Sequence, residues 1–202
     1  MDNLNDILCF TEVKYIGCIN YRASKRFVEL EKIAEIFREA KSKRPDLRTV
    51  LVMVNPTGDE IRNAMKVTRA DILQLSGDEE EEFVNEFDLY TVWKTIHVAD
   101  IKDINKILDY TTVENFVLDT KVQGSYGGTG VSFDFGLFNR AKDHTRHLIL
   151  SGGLNRENIY DAIKIANPRI IDICTGVESS PGIKSKDKID VILTLINTAL
   201  YV

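Results

Sequence analysis

Short apolar runs of strand length alternate along this chain with longer segments in which apolar residues recur every three or four positions. The runs fall at 15–20, 49–54, 72–75, 92–96, 115–119, 147–150 and 170–174. They are mostly continuous rather than alternating, the pattern of strands buried on both faces. Between them, Leu30, Ile33, Ala34, Phe37 and Ala40 share one helical face. Thr57-Gly58-Asp59-Glu60 has capping-box spacing and opens a helix that presents Ile61, Ala64 and Met65. Further helices are predicted at 79–89, 101–109, 134–142, 156–166 and 187–200, with residues 79–82 as an acidic first turn. Strands interleaved with amphipathic helices predict an α/β fold, a parallel sheet covered by helices. No long linker or shift in composition divides it, so residues 1–202 read as a single domain.

Residues 3–12 also read as a helix, with Leu4, Ile7 and Leu8 on one face, so about eight helices accompany seven strands. A closed (β/α)8 TIM barrel needs eight strands. The expectation is therefore such a barrel with its first β-strand absent from this sequence. The competing architecture is an open doubly wound sheet. It would carry G-x-G-x-x-G after the first strand, and none is present. The glycine loops crowd instead into the last third of the chain, where a barrel's phosphate site commonly lies.

Composition narrows the classes of partner. The net charge is −5, and Lys and Arg are scattered among Asp and Glu, which argues against a nucleic-acid surface. Cys9, Cys18 and Cys174 are far apart and form no C-x-x-C, so they read as buried thiols in a reducing cytoplasm. With no basic n-region and no long apolar run, neither a signal peptide nor a membrane span is expected, and the cytoplasm is the expected location. His97, His144 and His147 lack metal-ligand spacing, and no metal is expected.

The candidate chemistry sits at three strand ends. Asp119 closes the run at 115–119 and is followed at once by a glycine-rich loop, so an ionisable group and an anion cradle share one segment. Ser151-Gly152-Gly153 and Thr175-Gly176-Val177-Glu178 end the next two runs. Function in parallel α/β proteins lies at such ends. From the residues alone, Asp119 is either a catalytic carboxyl or a cap of its loop, and Ser151-Gly152-Gly153 is also a common turn.

The order and spacing of several motifs go further. They are Ser24-Lys25-Arg26-Phe27, Val52-Met53-Val54-Asn55, Leu73-Gln74-Leu75-Ser76-Gly77, Leu118-Asp119-Thr120, Gly127-Gly128-Thr129-Gly130 with Phe133-Asp134, Leu150-Ser151-Gly152-Gly153-Leu154, and Asp172-Ile173-Cys174-Thr175-Gly176-Val177-Glu178. In these the chain resembles phosphoribosylanthranilate isomerase, the (β/α)8 enzyme of tryptophan biosynthesis, from Asn3 to the last helix.

The resemblance implies an aldose–ketose isomerase that performs an Amadori rearrangement without a cofactor. The substrate would be N-(5'-phosphoribosyl)anthranilate and the product the ring-opened aminoketose 1-(2-carboxyphenylamino)-1-deoxyribulose 5-phosphate. Asp119 matches the general acid that protonates the furanose oxygen. Arg26 matches the ligand of the anthranilate carboxylate, although an S-K-R tripeptide is more often a solvated loop. Ser151, Gly152, Gly153, Thr175 and Gly176 match the phosphate cradle, with Asn155 opening the following helix. Asp172 either orients substrate hydroxyls or is hydrogen-bonded at its strand end.

Departures from the family pattern qualify this. The family's general base is a cysteine in a Lys-x-Cys-Gly motif on the first strand, and neither Cys9 nor Cys18 matches it. Ser76 stands where the family usually has histidine, and Lys121-Val122-Gln123 forms a local variation. A second reading is thus an N-terminally truncated, catalytically weak or inactive barrel that binds a phosphorylated small molecule, as a monomer or a homodimer.

Overall fold

Thr57 and Glu60 show how local sequence sets a helix boundary in this chain. The Thr57 hydroxyl accepts from the Glu60 N–H while the Glu60 carboxylate accepts from the Thr57 N–H, satisfying two of the donors that a helix start leaves open. The helix ends at Arg69, which turns into the left-handed region at φ 50°. The computed structural model describes residues 3–120 and 134–201, which cluster into two units, Met1–Trp93 and Lys94–Val202.

In the first unit, strands β1 (Tyr15–Ile19), β2 (Arg48–Met53) and β3 (Ile72–Leu75) pair in parallel in that order, with Ile16 opposite Thr49 and Val50 opposite Ile72. Helices α1 (Leu4–Leu8), α2 (Leu30–Lys43), α3 (Gly58–Thr68) and α4 (Glu81–Asn85) belong to the same unit. The stripe read from sequence is the buried one: Ile33, Phe37 and Ala40 of α2 and Ile61, Ala64 and Met65 of α3 join Val50, Leu51, Leu73 and Leu75 in the core. Burying the Ile, Phe, Met, Val and Leu side chains among these contributes about 1.5–3 kcal/mol each.

Strand β4 (Val92–Val98) runs from the first unit into the second. Its Lys94 is buried, with Nζ donating to the Thr95 carbonyl at 3.0 Å and lying 5.8 Å from the centre of the Tyr110 ring. Trp93 is buried against the Tyr15 ring.

In the second unit, β5 (Asn115–Thr120), β6 (Leu148–Leu150) and β7 (Ile170–Ile171) pair in parallel. They are accompanied by α5 (Ile101–Asn105), α6 (Phe135–Ala141), α7 (Ile159–Ala166) and α8 (Lys186–Tyr201). Phe116, Val117, Leu118, Ile149, Phe138, Ile159, Ala162 and Ile192 form its core. Asp134 caps α6 by accepting from the Gly136 N–H at 2.9 Å.

Four expectations need correction. Residues 79–82 are not one helical turn. Glu79 is buried, and its carboxylate accepts from the N–H groups of Asn55 and Gly77, tying together the ends of β2 and β3. Nor are the three thiols buried: Cys9 is exposed at the end of α1, with Sγ donating to the Asp6 carbonyl, while Cys18 and Cys174 are half-buried. The run at 170–174 gives only two residues of strand, because the chain turns at Thr175–Val177 into a hairpin, β8 (Glu178–Ser180) and β9 (Ile183–Lys184), that the apolar pattern does not show. The helix expected at 156–166 begins at Ile159. Asn155 opens the turn before it, accepting from the Glu157 N–H, and its carbonyl receives the Ile159 N–H.

Candidate active site

Two backbone hydrogen bonds in the second unit set the site. Where β6 ends, the Ser151 N–H donates to the Leu118 carbonyl at 2.9 Å, and the Asp172 N–H donates to the Leu150 carbonyl at 2.8 Å. Asp119, Ser151 and Asp172 are thereby delivered at the carboxyl ends of three adjacent parallel strands. The Ser151 hydroxyl donates to Asp172 Oδ2 at 3.3 Å. The Thr120 N–H donates to Asp119 Oδ1 at 2.8 Å.

Gly152 explains how the loop after β6 passes so close to Asp119. It sits at φ 90°, and a Cβ there would lie 2.5 Å from Thr120 Oγ1 and 2.9 Å from Asp119 Oδ1. Only glycine lets the loop after β6 pass this close to the carboxyl. Gly176 has a comparable role one loop later, since a Cβ would run into the Leu154 carbonyl and Asn155 Cα. The loops after β6 and β7 are therefore in contact through backbone. Gly153, at φ 62°, has its carbonyl held by the side-chain amides of both Asn155 and Asn158 at 3.0 Å. Beside these loops, Gly153, Asn155, Arg156, Thr175, Gly176 and Lys188 line a cavity of about 600 Å³.

The electrostatics of the pair are unequal. Burial pushes the Asp119 carboxyl up, the Asp172 carboxylate pushes it further, and against the single Thr120 hydrogen bond it reaches about 6. Asp172 is reachable by solvent yet densely surrounded by protein, and burial raises it as well. There the charge of Lys184 and the Ser151 hydroxyl both favour the anion. With a counter-charge and a donor of its own, Asp172 is the better-supported anion of the two.

Of the other residues read from sequence, Arg26 lies in the first unit, in the turn after β1, half-buried, its N–H donating to Ser24 Oγ at 3.1 Å. Ser76 is buried and accepts from the Gln74 side-chain amide at 3.1 Å. The glycine cradle Gly127-Gly128-Thr129-Gly130, Phe133 and the variation at Lys121-Val122-Gln123 lie outside the described residues. Among the described residues no group of His, Cys, Asp and Glu is placed to hold a metal ion.

Sequence reasoning missed Lys184. Its ammonium reaches the Cys174 carbonyl at 3.0 Å, Cys174 Sγ at 3.6 Å and Glu178 Oε1 at 3.2 Å. The signal was the Pro181-Gly182 dipeptide, which marks a turn and would have returned the following lysine toward the preceding strand end.

A family model described as N-(5'phosphoribosyl)anthranilate (PRA) isomerase matches residues 2–194. The chain is 34% identical over 179 residues to the N-(5'-phosphoribosyl)anthranilate isomerase of Thermoanaerobacter sp. (strain X514), covering 86% of this chain and 84% of that one. It is 35% identical over 192 residues to the protein of the same name from Rhizobium etli, covering 92% and 85%. Among solved structures, phosphoribosyl anthranilate isomerase from Thermotoga maritima is similar with a TM-score of 0.85 and 31% identity, over 97% of this chain and 95% of that one. A phosphoribosyl anthranilate isomerase in complex with reduced 1-(o-carboxyphenylamino)-1-deoxyribulose 5-phosphate is similar with a TM-score of 0.82 and 30% identity, over 97% and 94%. These structures give the fold class as α/β of the (β/α)8 barrel type, here with strands β1 to β7 and eight α-helices among the described residues. Motifs, strand-end geometry and both kinds of similarity agree, and the chain belongs to the N-(5'-phosphoribosyl)anthranilate isomerase family.

Proposed function

We propose that the chain catalyses the Amadori rearrangement of N-(5'-phosphoribosyl)anthranilate to 1-(2-carboxyphenylamino)-1-deoxyribulose 5-phosphate, the isomerase step in tryptophan biosynthesis, with residues 1–202 acting as one barrel domain. The observation that carries the reading is the placement of Asp119, a carboxyl lifted to about 6 at a strand end, in a chain of this family. A general acid works best with a value near the working pH, and this one keeps a useful protonated fraction close to neutrality. Asp119 protonates the furanose ring oxygen as the ring opens. Asp172, the better-supported anion, accepts hydrogen bonds from the ribose hydroxyls and holds Asp119 in its protonated form.

The N–H groups of the Ser151-Gly152-Gly153 and Thr175-Gly176 turns take the phosphate, the cavity beside Gly153, Thr175 and Gly176 supplying the room. Arg26 takes the anthranilate carboxylate with its planar fork. The base belongs to the family's Lys-x-Cys-Gly motif, which is not among these 202 residues. No helix among the described residues is long and apolar enough to cross a membrane, and a cytoplasmic location suits the phosphorylated substrate.

The test is direct conversion. Protein carrying a Lys-x-Cys-Gly segment ahead of this chain is incubated with N-(5'-phosphoribosyl)anthranilate, and the aminoketose is followed by chromatography. Turnover on the ordinary enzyme scale of about 1–10³ s⁻¹ is expected. Binding of the phosphorylated product without turnover would favour the second reading, a phosphate-ligand-binding barrel.

A further inference from the structure

We propose that Lys184 is a positioning residue which, paired with buried Glu178, fixes the Thr175-Gly176 turn in the form that receives a phosphate group; the proposal rests on the reading of that turn as part of the phosphate cradle. The turn Thr175–Val177 is bracketed by Cys174 before it and Glu178 after it. Lys184, at the end of β9, bonds to both brackets at once: Nζ lies 3.0 Å from the Cys174 carbonyl and 3.2 Å from Glu178 Oε1. One ammonium thus closes the turn at both ends.

Glu178 is 6% exposed, and a carboxylate so buried is costly unless hydrogen bonds and a counter-charge meet it. Here the Gly182 N–H donates to Oε1 at 3.1 Å as well, made possible by Gly182 at φ 84° in the hairpin turn. The hairpin is further tied down by Lys188 of α8, whose Nζ donates to the Glu178 carbonyl, and by the Ser185 N–H, which donates to the Val177 carbonyl at 2.8 Å. On its other side, the turn rests through Gly176 on the backbone of Leu154 and Asn155, the loop after β6. The hairpin therefore sets how the two glycine turns face each other. Neither Glu178 nor the hairpin backbone is assigned any contact with substrate.

Charge alone and positioning predict opposite signs. If Lys184 and Glu178 acted on an anion only through their charges, Glu178→Gln would remove a negative charge near the cradle and tighten phosphate binding. If the pair holds the turn, the same substitution leaves Lys184 only a neutral amide to bond at that bracket, loosens its hold and weakens binding.

Inorganic phosphate is titrated calorimetrically into the full chain and into Glu178→Gln, Lys184→Met and Lys184→Arg, with a thermal melt for each. Both Glu178→Gln and Lys184→Met are expected to weaken phosphate about tenfold, the scale of one lost hydrogen bond to a charged group. Lys184→Arg, which keeps charge and reach, is expected to stay close to the parent. Phosphate binding as tight or tighter in folded Glu178→Gln overturns the positioning role while leaving the cradle intact. Absence of phosphate binding by the parent chain overturns the cradle reading itself, and the positioning proposal with it.

Discussion

In the role proposed for it, Asp119 sets catalysis against stability at a single residue. Its ordinary value is near 3.8 and its folded value about 6, so between those limits the native state binds more protons than the unfolded state. Stability therefore falls as pH rises through that window and is flat above it. Two pH units correspond to no more than about 3 kcal/mol, and water reaching a half-buried carboxyl reduces the figure. Asp119→Asn does not titrate, so its unfolding free energy in urea should match the parent at about pH 4 and exceed it by about 1–2 kcal/mol at neutral pH. Identical pH dependence in both proteins would remove the raised carboxyl. Gly152 makes the complementary case. Gly152→Ala forces a left-handed backbone on a side chain that also meets Thr120 and Asp119, and a loss of about 2–4 kcal/mol is expected. A melting temperature within about a degree of the parent would show that the loop has room, contrary to this geometry.

At the scale of elements, what the sequence showed and what it hid divide by the range of the interactions. Strands β2, β3 and β6 and the helices α2 and α3 were legible because local pattern and cap agree with tertiary burial. Helix α1 was read over 3–12 and spans only Leu4–Leu8, because the carbonyls beyond it are spoken for by a distant residue. Arg44 donates to the Leu8, Phe10 and Val13 carbonyls and pairs side by side with Asp46, at 2.8–2.9 Å. No local pattern reveals a guanidinium some thirty residues away. Likewise, α4 was read over 79–89 and is only Glu81–Asn85, Glu79 being drawn onto the backbone of Asn55 and Gly77. The clamp has a measurable weight. Arg44→Met removes the donors for three carbonyls and is expected to cost about 2–3 kcal/mol in urea unfolding, while Arg44→Lys, lacking the fork, should recover less than half of it. An Arg44→Met variant with an unchanged midpoint would mean that water satisfies those carbonyls equally well.

For the molecule as a whole, family membership was legible early, and so were Asp119, Ser151 and Gly152, which close or follow an apolar run; Asp172 was read inside the run at 170–174, whose strand stops at Ile171. The support of the site was not. Lys184 and Glu178 meet only because a hairpin of three- and two-residue strands folds back, and strands that short carry no readable period. Gly152 was read only as a phosphate donor, and its missing side chain also makes room for Asp119, which the pattern did not show. The account's central claim is that Asp119 supplies the proton for the rearrangement. It is tested by the pH profile of kcat/KM for the parent and for Asp119→Asn, both carrying a Lys-x-Cys-Gly segment. The parent's alkaline limb should bend near about 6, because the acid must be protonated, and Asp119→Asn should lower kcat about a hundredfold or more and lose that limb. Near-parent turnover in Asp119→Asn, or an alkaline limb that survives the substitution, would contradict it.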